Sequence, residues 1–315
     1  MRVGPSLERT ILRVIAGWLF ICLMGVSAPS RAVQVAVVMS DNVAPYQEVY
    51  QAIRAYLDDA GHEVNRFYVD GWAATSLNEA RLVVAVGVRA VDLVATLPSR
   101  TPVLAVLVPK AWYAKFGRAR LSDGGRRSVS AIYLDQPFDR QAKLISMAFP
   151  EVRRVGVLLS ADQRGLADEL EESLRAQRIG LVHATVTEDD RLMMPLEQVL
   201  NESDLLLAIP DPLVFSRSTA QSLFLTSYRY RDPVVGYSRS MSRAGALVSI
   251  YSTPAQIGRQ AAEWIVSALN HSAVRLPLPG HPAYFEVTIN DQVARSLGFS
   301  LPSEAELEKR LGGGR

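Results

Sequence analysis

The residues best equipped for chemistry in this chain sit just beyond short aliphatic runs. Asp211 lies between Pro210 and Pro212 in "DLLLAIPDPLVFSRS" (204–218). A carboxylate there can act as a catalytic acid, accept charge-assisted hydrogen bonds from a ligand amine, or cap the next helix, for which proline suits the first turn. "GYSRS" (236–240) begins like the G-x-S-x-G nucleophile elbow but has Ser240 where the motif requires glycine, which weakens a hydrolase reading of Ser238. His62, His183, His271 and His281 include no pair at metal-ligand spacing and read as ordinary surface or strand histidines. Dinucleotide, P-loop and zinc-protease signatures are absent, so neither cofactor nor metal is expected, and with no oriented base in view catalysis ranks behind binding.

The elements that carry these residues alternate in type. Strands are expected at 33–39, 63–69, 82–87, 102–108, 130–134, 152–159, 180–186, 204–209, 233–238 and 244–250. Most are unbroken aliphatic runs, the pattern of parallel strands covered on both faces. Between them, Val49, Ile53 and Leu57, then Leu166, Leu170 and Leu174, then Ile257, Ala261, Trp264, Ile265, Ala268 and Leu269 recur at intervals that give helices one apolar stripe. Ser160 and Thr253 mark helix starts. The fold class is therefore α/β with doubly wound layers, and 315 residues favour two lobes over one core. In such sheets ligands bind beyond the carboxyl ends of the strands, where Ser40, Asp41, Asn42, Gly87, Val88, Asp135, Asp211, Tyr237 and Ser238 all fall. Capping and turn formation account for each of these singly; their shared place points to a common cleft.

The first 32 residues differ from the rest. Arg2, Arg9 and Arg13 precede an apolar or small run from Val14 to Ala28, and Ser30 and Ala32 occupy the minus-three and minus-one places of a cleavage site, the order of a secretory signal peptide cut after Ala32. Fifteen residues fall short of the roughly 20 of a spanning helix. Cys22, the only cysteine, follows Ile21, where a lipoprotein signal favours a small residue, so lipid anchoring is not expected and the exported chain has no thiol. Its charge is balanced, 30 basic against 31 acidic residues, and the densest basic cluster, "GGRRS" (124–128), reads as a solvated turn, which argues against nucleic acid as a partner.

The stretches "RRVGVLL" (153–159), "DLLLAIPDPLVFS" (204–216), "RDPVVGYSRSMSRAGALVSIYSTPAQIGRQAAEWIVSAL" (231–269) and "FEVTINDQVARSLGFSLP" (285–302) together resemble the substrate-binding proteins of ABC transporters with a type I periplasmic-binding-protein fold, in the branch that includes binders of aromatic amino acids. "VVMSDNVAPYQEVYQAIRAYL", "VVAVGVRAV" and "TPVLAVLVPKAW" agree more loosely. The resemblance implies Rossmann-like lobes at 33–133 plus 252–278 and at 134–251 plus 279–315, three hinge crossings, and a ligand cleft that closes between the lobes. It also implies a monomeric periplasmic protein that delivers a small polar or amphipathic, amino-acid-like solute to a membrane permease. Its ligand residues would be Ser40, Asp41, Asn42, Gly87, Val88, Asp211, Tyr237, Ser238 and Ser249. "IYSTPAQIG" (250–258) departs from the tyrosine-glycine pattern of many relatives at the hinge, so the solute is left open. A sensory module presenting ligand to a membrane receptor needs the same cleft and is the alternative.

Overall fold

The computed structural model describes residues 34–70, 80–187, 192–211, 213–216, 218–271 and 273–312. The expected signal peptide and its Cys22 lie outside these residues, as does Pro212 beside Asp211. Among them, no helix is long and apolar enough to cross a membrane.

Two sheets organise residues 34–312. The first contains β1 (Gln34–Met39), β2 (Glu63–Tyr68), β3 (Leu82–Val86), β4 (Val103–Val108) and β5 (Val129–Tyr133), in the order β2-β1-β3-β4-β5 and parallel throughout. β3 is buried along its whole length, as its unbroken leucine, valines and alanine require of a strand covered on both faces, whereas the edge strand β2 mixes Glu63, Asn65 and Arg66 with apolar residues and is nowhere fully buried. Helices Ala44–Asp59, Val88–Ala95 and Pro254–Leu269 flank this sheet. The first and last of these approach so closely that a Cβ on Gly258 would stand 2.7 Å from the Val49 carbonyl oxygen, a contact that only glycine permits.

The second sheet contains β6 (Arg154–Ser160), β7 (Gly180–Val186), β8 (Leu205–Leu207), β9 (Val234–Gly236), β10 (Val248–Tyr251) and β11 (Glu286–Ile289), in the order β11-β10-β9-β8-β6-β7. Leu158, Leu206 and Val234 face one apolar layer, and Val157, Leu207 and Val235 the other. All pairs are parallel except β10 with β11. β11 is absent from the strands read out of the sequence: it has four residues, one of them buried, and no aliphatic run, so only its partner β10 defines it.

Three segments join the sheets. Residues 134–137 lead from β5 into the helix Phe138–Ala148; Ser252 and Thr253 lead from β10 into Pro254–Leu269; residues 281–285 return to β11. Gly280 still belongs to the first sheet, since its amide donates to the Ala131 carbonyl (2.9 Å) and its carbonyl accepts from the Tyr133 amide (2.9 Å). The chain thus forms two α/β lobes with parallel-dominated sheets and three crossings.

Two local readings change. Arg127, in the expected solvated turn, is only 4% exposed and donates to the carbonyls of Val94, Leu97 and Ser99, adding to the backbone bonds that close this helix end; Arg126 alone keeps the surface role, paired with Asp123. Ser160 precedes a single 3-10 turn, Ala161–Gln163, and makes no side-chain cap; the following helix starts at Leu166. Thr253 does cap its helix, in a reciprocal box with Gln256.

Candidate functional site

A cavity of about 440 Å³ opens between the lobes, and its wall is drawn from both lobes and from every crossing. The first lobe contributes Pro45 and Glu48 from the start of a helix, and Lys110 and Ala111 from beyond β4. A bulge at Leu107, whose φ is 54°, shifts the β4 register so that Val108 pairs with Tyr133, and so re-aims the chain that carries Lys110. The second lobe contributes Leu166, Ile209, Pro210, Ile250 and the "YSRS" turn. Leu134 to Gln136, Ser252, Thr253 and His281 come from the crossings.

Of the residues expected to bind ligand, Tyr237 and Ser238 line this cavity. Tyr237 stands edge-on to Phe215 (centroids 6.1 Å apart), and burial, then the nearby charge of Asp211, pushes its hydroxyl pKa up. Ser238 accepts from the Met241 amide (3.2 Å) as the cap of a short helix, with the Ser240 hydroxyl 2.9 Å away. Among the described residues, no histidine or carboxylate is hydrogen-bonded to the Ser238 hydroxyl.

The other expected residues are held elsewhere. Both oxygens of Asp211 are taken by backbone amides, Oδ1 by Leu213 (2.9 Å) and Oδ2 by Ser160 (3.0 Å), and the residue is 4% exposed. It therefore caps its own turn and clamps the end of β6, while its neighbours Ile209 and Pro210 reach the cavity. Ser40 joins β1 to β3 by donating to the Val86 carbonyl (2.8 Å) and caps the helix Val88–Ala95 by accepting from the Ala90 amide (2.9 Å). Gly87, at φ 85°, leaves the room this needs: a Cβ would stand 2.6 Å from the Ser40 hydroxyl. Val88 opens that helix. Asp41 accepts from the Asn42 amide (2.6 Å), and Asn42 accepts from Gln47 and Tyr68 in an exposed cluster. Ser249 is fully buried in β10, with no partner for its hydroxyl.

Hydrogen bonds among the crossings frame the cavity. Gln136, 5% exposed, donates to the Ser252 hydroxyl (2.8 Å) and accepts from Arg140 (2.6 Å), which also donates to the Pro282 carbonyl (3.0 Å). Ser252 donates in turn to the Tyr284 carbonyl. Asp135 accepts from the Lys110 amide (2.6 Å); burial raises its carboxyl pKa, partly offset by that bond. His281 Nδ1 lies 2.8 Å from the Asp135 carbonyl oxygen, an acceptor only, so the proton sits on Nδ1, and burial keeps the ring pKa low. This histidine is no ordinary surface or strand residue: the turn in residues 279–285 aims it inward. No sequence signal separates it from the other three.

Two ion pairs also run from lobe to lobe. Lys110 Nζ sits 2.5 and 2.6 Å from the two Glu169 oxygens, and Lys115 Nζ 2.9 Å from Asp162. Among the described residues, no group of three or more acidic, histidine or cysteine side chains is arranged to hold a metal.

The sequence matches the family of ABC transporter substrate binding proteins over residues 119–308. No curated protein matches it. Among solved structures, a ligand-free, open substrate-binding protein with adhesive properties from Clostridium difficile superposes with a TM-score of 0.69 at 15% identity, covering 86% of this chain and 97% of its own. A conserved domain protein from Vibrio cholerae gives 0.61 at 19% identity, covering 89% and 98%. An ABC domain in complex with L-Trp from Streptococcus pneumoniae gives 0.60 at 16% identity, covering 90% and 99%. These likenesses establish the fold, and the family match covers more than half the sequence: two α/β lobes, three crossings and an enclosed cleft belong to a member of the ABC transporter substrate-binding protein family.

Proposed function

We propose that the chain is an exported solute-binding protein that captures an amino-acid-sized amphipathic molecule between its lobes and hands it to an ABC permease. The lobes of this reading run over 34–133 with 254–280 and over 138–251 with 286–312. The observation that carries it is the cavity itself, whose wall requires both lobes and all three crossings at once. A solute filling it adds contacts to each lobe and so favours their approach. Its mixture of apolar wall with polar and charged side chains suits an amphipathic molecule.

Ligand-dependent thermal shift over amino acids, amines, nucleosides and sugars tests the reading, with small-angle scattering following compaction. A stabilising solute that also compacts the protein supports it. Turnover of a compound without stable binding would refute it.

A further inference from the structure

We infer that the cavity selects a solute whose apolar body carries a positively charged head group, and that Glu48 is the residue that meets this charge. The inference deepens the solute-binding reading and rests on it. Leu134, Phe138, Ile209 and Ile250 supply apolar wall for the body of the solute. The two cationic side chains of the wall are already neutralised by protein. Lys110 holds both oxygens of Glu169, and Arg239 holds Glu286 (2.6 Å) and the Tyr251 hydroxyl (2.8 Å).

The acidic side chains of the wall are not matched in this way. Glu48, exposed on the helix Ala44–Asp59, makes no ion pair or side-chain hydrogen bond among the described residues. Asp135 has the Lys110 amide (2.6 Å) but no ion pair. Glu48 is therefore an acidic side chain of the wall with no cationic partner among the described residues. A solute carboxylate that reaches Lys110 or Arg239 shares a cation whose charge is already balanced by Glu169 or Glu286. An ammonium reaches Glu48 without breaking any bond, and a charge-assisted contact beside apolar wall is stronger than one in open water. Specificity then includes a repulsive part, since a second carboxylate in the cavity meets uncompensated charge of its own sign.

The test uses heads of different charge on one body: tryptamine, L-tryptophan and indole-3-propionate, with phenethylamine, L-phenylalanine and 3-phenylpropionate as the matching set. Calorimetry on the full chain is expected to rank the amine first and the acid last, at least tenfold apart. Glu48→Gln is expected to weaken amine binding about tenfold while leaving the acid unchanged or tighter, with an unaltered urea midpoint to show that folding is intact. An acid that binds more tightly than its amine, or an amine indifferent to Glu48→Gln, overturns the inference. So does the binding of only neutral or anionic solutes from a wider panel, which leaves the solute-binding reading standing. Binding of no solute at all overturns both.

Discussion

The cleft has two borders of opposite character. At the crossings, Gln136, Ser252, Arg140 and the carbonyls of Pro282 and Tyr284 form a lattice in which the glutamine and serine are almost wholly buried. At the other, Lys110 with Glu169 and Lys115 with Asp162 meet in side chains that are 31–81% exposed. A buried amide that loses its partner keeps its desolvation penalty, whereas a separated surface ion pair is rehydrated at little cost. The first border resists change and the second yields, which is the asymmetry a hinge needs.

The largest effect should come from breaking the buried border. Gln136→Leu leaves Ser252 and Arg140 short of a partner, and is expected to cost about 2 kcal/mol in urea unfolding, equally at low and high salt. Asp211→Ala, which frees the amides of Ser160 and Leu213, is expected to cost about 1–2 kcal/mol with solute affinity unchanged. Lost affinity in a folded Asp211 variant would make it a binding group instead of a cap.

Proton linkage sharpens the same comparison. Burial raises the Asp135 pKa above its ordinary 3.8, so the native state keeps a proton that the unfolded chain has released. Its contribution to stability is therefore greatest below the ordinary value and falls as pH rises through the raised one, by at most ~1.4 kcal/mol per pH unit for a single group. Asp135→Asn keeps an oxygen for the Lys110 amide and is expected to remove that decline, measured as urea midpoints from pH 3 to 8. An unchanged pH profile would show that the carboxyl titrates normally.

The smallest effect belongs to the exposed border. A double-mutant cycle of Lys110→Met and Glu169→Gln is expected to give a coupling below ~1 kcal/mol that shrinks in 1 M salt. Small-angle scattering should show both variants more open than the parent. A coupling as large as that of the buried lattice would erase the distinction between the two borders.

What could be read from the residues tracks how locally each feature is specified. β3 and β6 announce themselves because a strand buried on both faces must be aliphatic throughout, and Thr253 with Gln256 because a capping box closes within one turn. β11 could not be seen, since its place is set by pairing with β10. Arg127 was hidden because its acceptors lie some 30 residues away in sequence, on Val94, Leu97 and Ser99. Tyr237 and Ser238, expected at a strand end, line the cavity, whereas Lys110, Glu48 and His281 carried no signal, because a bulge, a helix start and a crossing bring them there.

The sequence by itself determined the layers: apolar runs and stripes have one stable partner, each other, so α/β lobes follow from periodicity alone. Only the tertiary structure decided which polar groups face the cleft and which are used up in holding it. Asp211 illustrates the division, since its type and its prolines allow capping or binding equally, and the approach of the Ser160 amide from β6 commits both of its oxygens to the backbone. Charge pairing across the cleft is likewise a property of distance in space, and distance in space is what a linear pattern does not contain.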